Sequence, residues 1–206
     1  MERKYAWHNY DDATMEKVYA LSDTYRQFLD NGKTERECVV QAVEFAEAKG
    51  YVNLKDIIKS NTPIKAGDKI YYTHMDKSIA LFNIGTDDIE LGMNILGAHI
   101  DSPRIDVKQN PQYEDSNLVF WDTHYYGGIK KYHWVAMPLA IHGVVVKTDG
   151  TRININIGDK ENDPVFCITD LLPHLGQEQM QKNAAKVIEG EALDLLIGSR
   201  PAKDEE

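Results

Sequence analysis

The chain has 206 residues, 42% apolar and 27% charged, proportions that supply a sizeable globular core and exclude wholesale disorder. Its net charge of −10 gives no general attraction to phosphate backbones or anionic membranes, so neither nucleic acid nor a membrane surface is an expected partner. Residues Met1 to Tyr10 carry charges without an apolar stretch, and no apolar run approaches the roughly 20 residues of a membrane span, which points to a cytoplasmic protein.

Met15, Val18, Tyr19, Ser22, Tyr25, Phe28 and Leu29 recur near the 3.6-residue period and predict a first helix, ended at Asn31-Gly32. A second helix begins at Thr34 with Glu37 three residues on, a capping-box pattern, and should bury Cys38, Val39, Ala42, Val43 and Ala46 before Gly50 closes it. The two are expected to form an antiparallel hairpin. From Lys69 the pattern changes to short strands, Lys69 to Thr73, Ile79 to Ile84 and Met93 to Ala98, separated by Met75-Asp76-Lys77 and Thr86-Asp87-Asp88. Helices followed by strands indicate an α/β or α+β layer arrangement.

The third of these strands runs into Gly97-Ala98-His99-Ile100-Asp101-Ser102-Pro103. Residues two apart on an extended segment share a face, so His99 and Asp101 can present an imidazole and a carboxylate together. That is the layout of a metal ligand and the acid that orients it, since a ligating histidine usually donates its other ring N–H to an oxygen. A strand-end histidine bonded to an aspartate that initiates a turn has the same residues.

Beyond Pro103 the texture is β-rich. Residues Ile105 to Ile157 hold many strand formers and no convincing helix, and Asp149-Gly150 between Val144-Val145-Val146 and the alternating Ile153, Ile155 and Ile157 is a strong hairpin signal. Leu171 to Gly190 should add helical character, and the end from Gly198 onward reads as a loop with a solvated acidic tail. Cys38 and Cys167 lack a short metal-binding spacing and are expected to be reduced buried thiols. The chain contains no Cys-x-x-Cys, His-Glu-x-x-His, phosphate-binding glycine loop or Gly-x-Ser-x-Gly, which removes the main sequence support for several enzyme classes.

The blocks Leu96 to Pro103, Tyr126-Gly127-Gly128-Ile129, Trp134, Pro138 to Val144 and Asp170-Leu171-Leu172-Pro173-His174-Leu175 together resemble the aspartyl-aminopeptidase family of dinuclear zinc metallopeptidases, in particular its bacterial branch. The resemblance implies an α/β catalytic domain, begun here by residues 1–103, and a β-rich dimerisation domain inserted after it, residues 104–206, incomplete at its end. It implies that His99 is a zinc ligand and that Asp101 supports it. It further implies that peptides are the substrates, that two zinc ions serve the complete site, and that the β-rich domain builds a homo-oligomer. In such a site, divalent ions polarise the scissile carbonyl and acidify the attacking water while a carboxylate takes the proton. Manganese or cobalt would suit imidazole and carboxylate ligands as well.

The family's remaining ligands and its Glu-Glu pair lie in segments this sequence does not contain. A catalytic zinc needs about three protein ligands, so the isolated chain is expected to be silent, and also less stable than its length suggests. The alternative is a non-catalytic oligomerisation or binding module. His133 matches only loosely the histidine that some relatives insert into a neighbouring active site, and an aromatic strand face explains it equally. His142 and His174, set among apolar residues, read as core or interface histidines. The aromatic residues Phe120, Trp121, Tyr125, Tyr126, Tyr132 and Trp134 read as an interface surface, and Lys130 and Lys131 as solvated turn residues.

Overall fold

The computed structural model describes residues 4–201. The chain divides between Asp101 and Ser102 into two compact units.

In the first unit, α1 (Asp12–Asn31) is capped by Asp11, whose carboxylate accepts the Thr14 N–H at 2.8 Å. Helix α2 (Glu35–Ala48) opens on the expected capping box: Glu37 N–H donates to Thr34 Oγ1, and Thr34 N–H donates to Glu37 Oε2 at 2.9 Å. Cys38, Val39 and Ala46 are buried, whereas Ala42 and Val43 are half-buried. The helices touch beside their joint, where Gln41 donates to the Phe28 carbonyl and the Phe28 and Phe45 rings lie 6.4 Å apart. No residue of α1 is buried. Its apolar period is that of a packed helix, yet Tyr19, Tyr25 and Leu29 are exposed and Met15, Val18 and Phe28 only half-buried, because this unit covers that stripe only in part.

A short helix outside the sequence pattern, α3 (Leu54–Ser60), follows β1 (Val52–Asn53) and is capped by the Asn53 side chain. Strand β2 (Lys69–His74) lies between β1, parallel to it, and β3 (Ser78–Asn83), antiparallel. Ile70 and Tyr71 bring β2 into the small core beneath α2, and the Tyr71 hydroxyl donates to Glu47 at 2.7 Å.

The expected strand Met93 to Ala98 does not form. Residues 92–103 have no regular structure, and Met93, Ile95 and Leu96 are exposed, Leu96 completely. A strand exists only through a neighbour that takes its backbone hydrogen bonds, and the sheet β1-β2-β3 does not include this segment.

The second unit is built on a sheet of order β4-β5-β9-β8 and a separate hairpin β6-β7. Strands β4 (Arg104–Asp115) and β5 (Leu118–Tyr126) are joined by Ser116-Asn117, both at positive φ, the geometry of the mirror-image turns that suit twisted hairpins. The ladder breaks between Val107 and Gln112, around Pro111, which has no N–H to donate. The Asp149-Gly150 signal is met by β6 (Ile141–Val146) and β7 (Arg152–Ile157), in register from Ile141↔Ile157 to Val146↔Arg152. Strands β8 (Cys167–Ile168) and β9 (Leu195–Gly198) complete the larger sheet.

Ile168, Ile188, Leu193 and Leu195 form the core, with Trp121, Trp134 and Phe166 packed against it. Buried Thr123 is satisfied by a hydrogen bond from its hydroxyl to the Leu193 carbonyl. Helical structure in Leu171 to Gly190 is confined to α4 (Gln177–Gln181), a single uncapped turn after Pro173 and Gly176, so the expected helical character is mostly turns. Cys38 and Cys167 are free thiols, the first buried and the second half-buried.

Candidate metal site

His99 and Asp101 lie together at the end of the irregular segment, before β4 begins. The imidazole Nδ1 is 3.0 Å from the Asp101 carbonyl oxygen and 3.3 Å from its carboxylate Oδ1. Both neighbours are oxygens, so these contacts are favourable only when Nδ1 carries the hydrogen. The lone pair is then left on Nε2, which is the arrangement of a metal-ligating imidazole. The side chain is 84% exposed and that of Asp101 40%. The pairing anticipated on one face of a strand is achieved without the strand.

Within the second unit, the β4-β5 register brings Gly127 to Pro103. Arg104 opposes Tyr126 at the start of the β4-β5 ladder, its guanidinium 4.2 Å from the ring centroid and its Nε 2.8 Å from Asp106 Oδ1. Gly127 follows at φ +79°, and a Cβ there would touch Pro103 at 3.5 Å. The glycine therefore serves a left-handed turn against the Ser102-Pro103 corner.

The remaining histidines are dispersed. His133 is exposed on the 3-10 turn Lys131–His133 and meets the Tyr132 ring edge-on at 4.6 Å. His142 is nearly buried, its Nε2 3.1 Å from Asp159 Oδ2. His174 is exposed among exposed leucines. Among the described residues no three His, Cys, Asp or Glu side chains come together as a metal site. One imidazole with its orienting carboxylate therefore fits one corner of a zinc site and falls short of the three ligands a catalytic ion takes. The aromatic group divides: Trp121 and Trp134 pack on the core, while Tyr125, Tyr126 and Tyr132 remain partly exposed.

Three comparisons bear on this arrangement. The sequence profile of the aminopeptidase I zinc metalloprotease (M18) family matches residues 28–206. A probable M18 family aminopeptidase 1 of Clostridium acetobutylicum is 54% identical over 205 residues, covering 100% of this chain and 44% of that protein. The crystal structure of an M18-family aminopeptidase from Thermotoga maritima superposes with a TM-score of 0.88 at 44% identity, over 100% of this chain and 44% of that one. The fold reaches more distant proteins, among them the S. cerevisiae mApe1 dodecamer, 18% identical with a TM-score of 0.62 over 89% of this chain and 39% of that one. The chain spans less than half the length of the relatives it matches.

Proposed function

The chain belongs to the aminopeptidase I zinc metalloprotease (M18) family, and on that footing we propose that it contributes to a zinc-dependent aminopeptidase that releases N-terminal residues from peptides, with His99 as a zinc ligand and Asp101 as the residue that positions it. The observation that carries this reading is the Nδ1 contact to Asp101, which leaves the lone pair on Nε2 of an exposed imidazole. Zinc bound in a complete site would polarise the scissile carbonyl and acidify the attacking water. What these residues themselves do is narrower: Asp101 fixes the tautomer and the ring direction of His99. Two ions belong to the proposed complete site, and a cytoplasmic location is part of the same proposal. No helix among the described residues is long and apolar enough to cross a membrane.

Because the described residues hold no third ligand, the chain alone is proposed to be catalytically silent. Residues 1–103 act in this reading as part of the catalytic domain and residues 104–206 as a dimerisation domain. Support for self-association comes from the β6-β7 hairpin, where Val145, Val146 and Ile153 are exposed, and from the dodecameric assembly of the distant mApe1 neighbour. The same exposed strands favour a second reading, a non-catalytic oligomerisation module.

Two preparations test these readings. The chain alone, dialysed against zinc beside its His99→Ala variant, should hold substoichiometric metal and release no nitroaniline from aminoacyl-nitroanilides. A fusion to the remaining segment of the Clostridium acetobutylicum relative should cleave them and lose that activity on His99→Ala. Turnover by the chain alone overturns its silence, and a fusion indifferent to His99→Ala removes His99 from the metal.

A further inference from the structure

A recess of about 410 Å³ opens in the second unit, remote in sequence from His99. Ile188, a core residue, forms part of its wall, and the ammonium-bearing side chains of Lys131, Lys182 and Lys186 line it against the single carboxylate of Glu189. This is a local surplus of positive charge on a chain whose net charge is −10.

One of these cations, Lys131, is held in place by packing. Lys131 Nζ donates to the Ala185 carbonyl at 3.3 Å and sits 5.7 Å from the centroid of the Tyr125 ring. Tyr125 in turn lies against Gly190, where a Cβ would come within 2.6 Å of its Cε1. A side chain at 190 would displace the ring and, with it, the ammonium it supports. Lys182 pairs with Glu189 at 2.9 Å, which holds that carboxyl below the usual carboxylate range and spends one of the positive charges. The Lys186 ammonium has no hydrogen bond or ion pair among the described residues. The recess thus presents two cations not neutralised by a carboxylate, Lys131 and Lys186, beside an apolar wall.

We propose that this recess is a binding site for a small organic carboxylate, whose anionic group lies between Lys131 and Lys186 and whose apolar body rests on Ile188. The site is independent of the peptidase reading, since it uses no residue of the metal site.

The test is an amide NMR titration of the chain with benzoate and with acetate at fixed ionic strength. The Ile188 and Gly190 signals should shift saturably, with benzoate bound about tenfold more tightly because its ring is taken out of water. Lys131→Gln and Lys186→Gln should each weaken benzoate about threefold, as expected for partly exposed ion pairs. Lys160→Gln, on a different turn, should leave binding unchanged, and Gly190→Ala should weaken it by displacing Tyr125. If Gly190→Ala does not fold, the two lysine variants decide. Shifts that never saturate, indifference to both lysine variants, or equal binding of acetate and benzoate would each overturn the proposal.

Discussion

The imidazole of His99 is held by Asp101 through two different oxygens, the backbone carbonyl at 3.0 Å and the carboxylate at 3.3 Å. Both acceptors select the same tautomer, with hydrogen on Nδ1. Nitrogen-15 NMR of the neutral chain is therefore expected to show His99 enriched in that tautomer relative to exposed His174. Asp101→Ala removes one acceptor and leaves the other, so the enrichment should decrease without vanishing. A His99 spectrum identical to that of His174 would leave the ring unoriented and weaken its proposed role as a ligand.

Thr34 and Glu37 satisfy each other's backbone N–H groups at the start of α2, the helix that supplies Cys38, Val39 and Ala46 to the first unit's core. Thr34→Ala leaves the Glu37 N–H without its side-chain acceptor and should cost about 1 kcal/mol. Urea unfolding followed by circular dichroism measures this directly. Because the first unit has so small a core, its signal should be lost earlier than that of the second unit, in two transitions rather than one.

The parts of the fold that were legible in the sequence are those fixed by local chemistry. The capping box at Thr34, the strands around Met75-Asp76 and the hairpin around Asp149-Gly150 each depend on residues within a few positions of one another. What misled was burial. Met93 to Leu96 has the composition of a buried strand but lacks the neighbour that would make it one, and α1 has an apolar stripe that its own unit covers only in part. The contact between His99 and Asp101 is legible in their spacing, whereas the separate contact between Gly127 and Pro103 depends on the Arg104↔Tyr126 register, which residue spacing does not encode. The lysine-lined recess was equally hidden, since it depends on the contact of Lys131 with Ala185, distant in sequence.

Tyr113 donates to Asp194 Oδ2 at 2.6 Å, and Asp194 Oδ1 is buried without a hydrogen-bond partner among the described residues. Burial first, and then this bond to a carboxylate, push the phenol well above its ordinary value, so it remains a donor through the alkaline range. Tyr113→Phe should destabilise the second unit by about 1 kcal/mol, because the carboxylate loses its phenolic donor while staying partly desolvated. Equilibrium unfolding at neutral pH checks the size, and a stability equal to that of the parent would show that water replaces the phenol at no cost.

Asp163 accepts the N–H groups of Gly158 at 3.1 Å and Lys160 at 3.2 Å, closing the turn that follows β7. These two bonds, in that order, lower its pKa below the ordinary 3.8. A carboxyl depressed in the folded state contributes stability at pH values above the unfolded pKa, and that contribution is lost as the pH falls from 3.8 towards the folded value. Asp11, Asp149 and Glu189 are depressed in the same way by Thr14, Thr151 and Lys182. The thermal midpoint should therefore fall on acidification through this window, and Asp163→Asn should flatten the fall. An unchanged slope in the variant would show that the turn does not sense the charge.

Leu96 makes no use of its side chain within the described fold, being fully exposed beside exposed Ile95 and Met93. A contiguous apolar stretch with unpaired backbone is a template for association between chains. Leu96→Lys should therefore leave the stability within about 0.5 kcal/mol of the parent and the thermal midpoint nearly unchanged, as is usual for surface changes that remove no packing. Aggregation, followed by light scattering at raised concentration, should slow markedly, because the added charge interrupts the apolar run. If the variant instead lowered the midpoint, Leu96 would be packed in solution against a surface of this chain, and the segment would have to be redrawn as part of the first unit's core.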